Sequence, residues 1–216
     1  MSWSSGKDSA YALQAIRADP SVQVAGLLVT MNARADRVAM HAVRRSLLEA
    51  QAARLGLVLH VVEIPSPCPN EIYEELMGAA MDGALRDGVE AVAFGDLFLD
   101  DVRAYREAML ARAGLVALFP LWGRPTLELA REMIEAGIRA VLTCVDPVKL
   151  PASFAGRSFD HRLLDDLPPP VDPCGEHGEF HTFVLDGPGF ASPIPVRRGR
   201  VVSRDGFVFC DILPTP

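Results

Sequence analysis

The sequence predicts an α/β fold: a doubly wound parallel sheet with a small β-rich region at its C-terminal end. Three observations predict it. Continuous apolar stretches recur up to about residue 150, amphipathic stretches of helical period separate them, and glycine or proline closes most of the units. Strands buried on both faces read as continuous apolar runs. Their alternation with helices points to a parallel sheet covered on both sides.

The elements follow in order. Residues 8–18 place Ala10, Ala12, Leu13 and Ile16 at helical spacing, and Asp19-Pro20 stops them. VQVAGLLVT, 22–30, reads as a buried strand. A helix is expected from about 38 to 55, closed by Gly56, and LVLHVVEI, 57–64, is the next strand. Residues 69–87 are helical, with Gly88 as the stop, and AVAFGD, 91–96, is a strand. A helix over 100–113 ends at Gly114 and leads into the strand LVALFPLW, 115–122. PTLELAREMIEAG, 125–137, is a helix with Pro125 in its first turn and Gly137 past its end. AVLTCVD, 140–146, completes the parallel set. After about 150 the rhythm changes. Pro151 and Pro168-Pro169-Pro170 punctuate a loop-rich stretch, and the β-like pieces FHTFVLD and RVVSRDGFVFCDIL follow. The boundary is therefore expected near 150, dividing the chain into 1–150 and 151–216.

Composition bounds the function. The chain has 216 residues, 50% of them hydrophobic and 23% charged, which suits an ordinary globular protein with one sizeable core. Its formal charge of −7 argues against a generic grip on nucleic acid; Arg197, Arg198 and Arg200 form the densest basic group. Cys68, Cys144, Cys174 and Cys210 form no CxxC pair, so a reducing, cytoplasmic location without disulfides is expected. No basic-then-apolar leader and no apolar run of about 18 residues is present, so neither a signal peptide nor a membrane span is expected.

Two segments carry chemistry. The first is Ser4-Ser5-Gly6-Lys7-Asp8-Ser9, at the first strand-to-helix turn. Ligands of open parallel sheets bind beyond the carboxyl ends of the strands. Gly6 would let the backbone take unusual dihedrals. Free amides at the helix start would face an anion, with the hydroxyls of Ser4, Ser5 and Ser9 and the charge of Lys7 beside them. A carboxylate such as Asp8 next to phosphate makes sense with a cation between them, as a Mg²⁺ ligand. The alternative is that Asp8 or Ser9 only caps the helix. The spacing is neither G-x-x-x-x-G-K-[ST] nor G-x-G-x-x-G.

The second segment is DPCGEHGEFHTFVLDGPGF, 172–190. His177 and His181 are spaced as in H-E-x-x-H, but no Glu follows the first His directly, and Gly175 and Gly178 oppose a helix. A polar turn entering a strand is the simple alternative. Among single residues, His60 reads as a core or edge histidine, and His41 is isolated. Asp96 ends a strand and reads equally as ligand group or loop cap. Asp100-Asp101 suit a helix start. Arg103, one turn into that helix, could reach a phosphate or lie exposed. Cys174 lacks a placed base.

The first segment resembles the PP-loop, S-G-G-x-D-S, of the ATP pyrophosphatases, with Ser5 in place of the first glycine. That superfamily has an adenine nucleotide α-hydrolase-like fold and includes GMP synthetase, NAD synthetase, tRNA thiolation enzymes and the diphthine–ammonia ligases. The second segment is similar to the E-G-G-E-[YF]-E-[TS] motif of the diphthine–ammonia ligase family. His177 and His181 depart from it, and Asp186-Gly187-Pro188 with Phe190 resembles the D-x-P-x-F continuation. Gly95-Asp96, Asp101 to Glu107, and Pro120-Leu121-Trp122 fall where relatives carry similar segments. The Cys-Gly-Glu-His-Gly-Glu-Phe-His form looks like a bacterial branch.

The resemblance implies an ATP-dependent, amide-forming ligase that adenylates its acceptor and releases AMP and pyrophosphate. ATP and Mg²⁺ would be its cofactors, 1–150 its nucleotide-binding domain, and 151–216 a region completing the site. It implies catalytic roles for Asp8, Glu176 and Glu179, with Asp8 on the metal, and nucleotide contacts from Ser4, Ser5, Gly6, Lys7, Asp8, Ser9, Thr30, Asp96 and Arg103. The partners implied are a small-molecule or protein carboxylate and ammonia, without membrane or nucleic acid; a homodimer stays open. A regulatory nucleotide-binding protein without turnover and an amidoligase of cobalamin salvage are the alternatives. A tRNA thiolase is weakened by the missing CxxC pairs. Only Met1, Ser2 and Trp3 precede Ser4. A first strand that short predicts unpaired neighbours, and hence either a start upstream of Met1 or a marginal product with a loose loop and weak ATP binding.

Overall fold

The computed structural model describes residues 1–34, 37–38 and 43–215. His41 lies outside the described residues.

The fold holds parallel strands in its N-terminal part and a separate antiparallel sheet in its C-terminal part. β1 (Gly26–Asn32) and β3 (Val58–Ile64) pair in parallel over their whole length, from Gly26 opposite Val58 to Asn32 opposite Ile64. β4 (Ala91–Ala93) and β5 (Val116–Leu118) form a second parallel pair. The short β2 (Arg37–Val38) runs antiparallel to the end of β1.

The first three residues lie between the two pairs. Trp3 N–H donates to Leu28 O at 2.7 Å, Leu28 N–H to Met1 O at 2.8 Å, and Ser2 N–H to Ala93 O at 2.8 Å. Read through these bonds, the order is β3, β1, residues 1–3, β4, β5. The backbone groups that a short segment threatens to strand, at Leu28 and Ala93, are therefore paired. Trp3 is buried, and its indole N–H reaches Gln51 Oε1 at 2.9 Å.

Helices connect these strands: α1 (Lys7–Arg17), α2 (Arg45–Leu55), α3 (Asn70–Arg86), α4 (Asp100–Arg112) and α5 (Thr126–Glu135). α2 starts later than its sequence suggests, because Arg37–Val38 is extended. It stops at Gly56, whose left-handed φ of 65° lets the amide fold back onto the last turn. Pro125 stands at the N-cap of α5 rather than within its first turn. Beneath α3 and α4 lies a separate apolar cluster of Val62, Met77, Met81, Val92, Phe94, Leu110 and Leu115. The larger core is shared by α1, α2, α5 and the antiparallel sheet. Among the described residues no helix is long and apolar enough to cross a membrane.

β6 (Arg139–Val145) departs from expectation. It does not extend the parallel set but runs antiparallel in a four-stranded sheet of order β7 (Phe180–Asp186), β6, β9 (Phe207–Pro214), β8 (Val196–Arg204). The reason is physical. Every residue from Ala140 to Val145 is buried. A central strand covered on both faces carries the same apolar run whichever way its neighbours point. β8 and β9 form a hairpin through Asp205-Gly206, both at positive φ (51° and 84°), as a two-residue turn of this kind requires.

The two sheets meet at the start of α1. Val184 N–H of β7 donates to Ser5 O at 2.9 Å, and Lys7 N–H donates to Thr182 Oγ1 at 3.1 Å. The buried Gln51 of α2 binds both sides, donating to Ser5 O at 3.1 Å and Val184 O at 2.6 Å. The turn at 4–9 is thus clamped between the sheets.

Candidate active site

Ser5, not Gly6, takes the unusual backbone conformation of the turn. Its φ is 71°, whereas Gly6 is extended at φ −91°, ψ 173°. The left-handed residue therefore stands where the resembled motif has its first glycine. Ser5 is fully buried, and among the described residues its hydroxyl has no partner. The other hydroxyls brace the turn. Ser4 Oγ and Ser9 Oγ lie 3.1 Å apart, and Ser9 Oγ donates to Gly6 O at 2.9 Å.

Lys7 is buried, yet it is charged for a visible reason. Its Nζ donates to both Asp8 carboxylate oxygens at 2.9 Å and to Cys174 O, and it lies over the rings of Phe159 and Phe180 at 5.5 and 5.4 Å. Burial by itself lowers the pKa of this ammonium. The adjoining Asp8 carboxylate, with Cys174 and Glu176 nearby, outweighs burial and raises it.

The end of β4 touches the same turn. A side chain on Gly95 would come within 2.8 Å of Asp8 C and Ser9 N, so only glycine allows this approach. Asp96, next along, contacts Arg106 of α4, with Nε 2.8 Å from Oδ2 and Nη2 donating to Oδ1 at 3.1 Å. The Arg106 guanidinium lies 4.5 Å from the Phe94 ring centroid. Arg103 sits elsewhere: it pairs with Glu107 at 2.8 Å and covers Phe119 and Trp122 at 5.1 and 4.8 Å.

The turn before β7 brings in the remaining groups. Glu176 Oε1 accepts from Leu97 N–H at 2.7 Å. Burial, helped by the charges of Asp8 and Asp96, pushes its carboxyl up to about 7 despite that bond and the nearby Lys7. Glu179 points the other way. It is only 3% exposed, and its Oε1 accepts from Asp172 N–H at 3.0 Å. Its Oε2 and the Asp172 Oδ2 are buried without partners among the described residues. Asp172 Oδ1 in turn accepts from Cys174 N–H at 3.1 Å. The Cys174 thiol is buried, lies 3.4 Å from Thr126 O, and is raised far above its usual range by burial. It is not a poised nucleophile.

Two adjoining cavities result. One of about 240 Å³ is lined by Ser4, Lys7, Asp8, Ser9, Asp96 and Glu176. The other, about 290 Å³, is mostly apolar, with Leu28, Thr30, Tyr73, Met77 and Met109 in its wall. Ser2, Ser4, Phe94, Arg106 and His181 line both. Of the residues singled out in the sequence, Ser4, Lys7, Asp8, Ser9, Asp96 and Glu176 meet around the first cavity and Thr30 lies in the second. Ser5, Gly6, Glu179 and Arg103 are not in either wall. His60 is exposed on the edge strand β3, and His177 packs against Phe98 at 5.1 Å while its carbonyl accepts from Lys149. Among the described residues no three His, Cys, Asp or Glu side chains are grouped to hold a metal. Gln51 and Arg106 escape sequence reading. Gln51 looks like any polar helix residue, and Arg106 is one turn from Arg103 with the same chemistry.

Comparison with known proteins places the chain in a family. The model of the diphthamide synthase N-terminal domain matches residues 1–117, and that of the diphthamide synthase C-terminal domain matches residues 125–213. This chain belongs to the diphthamide synthase family. Among curated relatives, the diphthine–ammonia ligase of Homo sapiens is 30% identical over 162 residues, covering 73% of this chain and 61% of the human protein. That of Danio rerio is 29% identical over 231 residues, covering 97% of this chain and 90% of the fish protein. That of Schizosaccharomyces pombe is 31% identical over 126 residues, 56% of this chain and 21% of its own length. The match thus spans about three fifths of the human relative's length. Within the diphthamide synthase framework, the first cavity draws its wall from both matched regions. Ser4, Lys7, Asp8, Ser9, Asp96 and Arg106 come from the first, and Glu176 and His181 from the second.

Proposed function

We propose that this protein is an ATP-dependent carbon–nitrogen ligase. A carboxylate oxygen of the acceptor attacks the α-phosphorus of ATP and pyrophosphate leaves. Ammonia then attacks the acyl carbon of the adenylate, and AMP leaves with the carboxylate's oxygen. The observation that carries this reading is the meeting of the 4–9 turn and Glu176 in one polar cavity that shares a wall with an apolar one. The curated relatives are named for diphthine and ammonia, which makes a diphthine-type carboxylate the first acceptor to try.

In this reading the phosphates lie on residues 4–9 and the base occupies the apolar cavity beside Thr30. Lys7, held by Asp8 and Cys174 O, presents a fixed positive charge to the polyphosphate, so no reorganisation is needed as charge develops. Mg²⁺ is usually held by one or two carboxylates together with phosphate oxygens and waters. Asp8, whose side chain is 26% exposed, lines this cavity with Glu176 and suits that part. When bound, the ion would neutralise the phosphate oxygens. Glu176, poised near neutrality, takes the proton released by the attacking ammonia. Glu179 acts on the turn: by holding Asp172 it sets Cys174 O against Lys7 and Glu176 into the cavity. We read the strand order as a doubly wound, adenine nucleotide α-hydrolase-like sheet, with residues 151–216 completing the site and a cytoplasmic location supplying ATP and ammonia.

The test is exchange of radiolabelled pyrophosphate into ATP, run over a panel of carboxylates with and without ammonia. Exchange that requires one acid, with AMP and amide formed only when ammonia is added, is the expected result. ATP binding without exchange or AMP release for any acid would favour a nucleotide-binding regulator instead.

A further inference from the structure

The two cavities share a wall, and a single cation stands in it with capacity to spare. Among the described residues, Lys7 and Arg106 are the only lysine or arginine residues lining either cavity. Lys7 Nζ already has three acceptors, the two Asp8 oxygens and Cys174 O, which matches the three donors of an ammonium. Arg106 differs. It lines both cavities, and it meets Asp96 through one hydrogen bond, from Nη2 to Oδ1, and an ion-pair contact in which Nε lies 2.8 Å from Oδ2 without hydrogen-bond geometry. Among the described residues, Nη1 has no protein acceptor. The guanidinium is held flat by Phe94 at 4.5 Å and fixed at its edge by Asp96, so its remaining donors point from a rigid fork.

Position decides what such a fork would meet. A nucleotide with its base in the apolar cavity and its outer phosphates on the 4–9 turn must pass the shared wall at the group joining ribose to the phosphates. We propose that Arg106 is the α-phosphate-binding residue of this site, and that Asp96 is a positioning residue that holds the guanidinium there rather than touching ligand. This inference rests on the nucleotide reading above and deepens it: the site would recognise the 5′-phosphate of a nucleoside monophosphate as well as that of ATP. The same contact would neutralise charge at the phosphorus under attack and would persist on the AMP that leaves.

The test compares AMP with adenosine by titration calorimetry, using the whole chain and the variants Arg106→Met, Arg106→Lys and Asp96→Asn. A charge-assisted contact to phosphate corresponds to about 10- to 100-fold in affinity. Arg106→Met should lose that much for AMP while adenosine binding changes less than about twofold. Arg106→Lys should recover part of the AMP affinity, because the charge remains and the fork does not. Asp96→Asn should weaken AMP by about threefold, again sparing adenosine. Adenosine binding serves as the control for a folded site. Equal losses for AMP and adenosine in Arg106→Met, or full AMP affinity in a variant that still binds adenosine, would overturn the assignment. Failure of the unaltered protein to bind ATP, AMP or adenosine would instead remove the nucleotide reading on which it rests.

Discussion

The two turns that build the site are unlike in how they use their residues. The 4–9 turn directs Ser4, Lys7, Asp8 and Ser9 at the first cavity, and its internal bonds are short-range. The 172–182 turn is as rich in polar groups but uses many of them on itself. Glu179 accepts from the backbone N–H of Asp172, Asp172 accepts from that of Cys174, and only Glu176 among its acids lines the cavity. The first turn lies at the open end of parallel strands, the place where ligands of open α/β sheets generally bind. The second has to bring an antiparallel sheet against α1, so its shape must be fixed before its chemistry can be. A dense motif is therefore not a list of ligand contacts.

Lys7 is where the two turns are joined, and removing it should do the most damage. In Lys7→Met the partly buried Asp8 loses its counter-charge and Cys174 O its donor. Pyrophosphate exchange should fall about 100-fold or more, and urea unfolding should show a loss of about 3 kcal/mol. A folded Lys7→Met protein with unchanged exchange would show that the two turns work independently.

Glu176 and Glu179 stand on the second turn with opposite orientations. Glu176→Gln should lower amide formation about 100-fold. The unaltered protein should gain rate as pH rises through about 7, and the variant should lack that limb. Stability carries the opposite sign. The folded-state pKa of about 7 lies above the ordinary 4.5, so the contribution of Glu176 is fully present below 4.5 and is lost as pH rises through about 7. Thermal melts should accordingly show the unaltered protein gaining on Glu176→Gln as pH falls across that window. Glu179→Gln keeps an acceptor for Asp172 N–H and should leave the rate limb in place. A shifted limb in that variant would give Glu179 a direct chemical part.

Backbone approach matters next. Gly95→Ala places a methyl 2.8 Å from Asp8 C and Ser9 N, and backbone there cannot move aside cheaply. About 2 kcal/mol of stability should be lost in denaturant titration, with nucleotide affinity falling as the turn shifts. The smallest effect should be a gain. Ser5→Gly relieves a left-handed φ of 71° and removes a buried hydroxyl without a partner. Relief of that conformation corresponds to about 1 kcal/mol, readable as a higher melting temperature. A lower melting temperature would mean that the hydroxyl holds the turn.

The sequence by itself determined the alternation of strands and helices, the glycine stops, and the position of the first turn at a strand end, because these depend on local periodicity and backbone freedom. It also marked Asp8, Glu176 and Lys7, whose chemistry is unusual where it stands. Tertiary structure decided the rest. The direction of β6 is set by its partners and not by its apolar run, since a strand buried on both faces reads alike in either kind of sheet. The left-handed residue is Ser5 rather than Gly6, because the clamp formed by Val184 and Gln51 on Ser5 O fixes where the chain must bend. Arg106 rather than Arg103 reaches the cavities, because only the rotation of α4 against β4 distinguishes two arginines one turn apart. Glu179 turns inward while Glu176 turns out, because the two lie on opposite sides of a turn whose shape exists only once β7 has docked on α1.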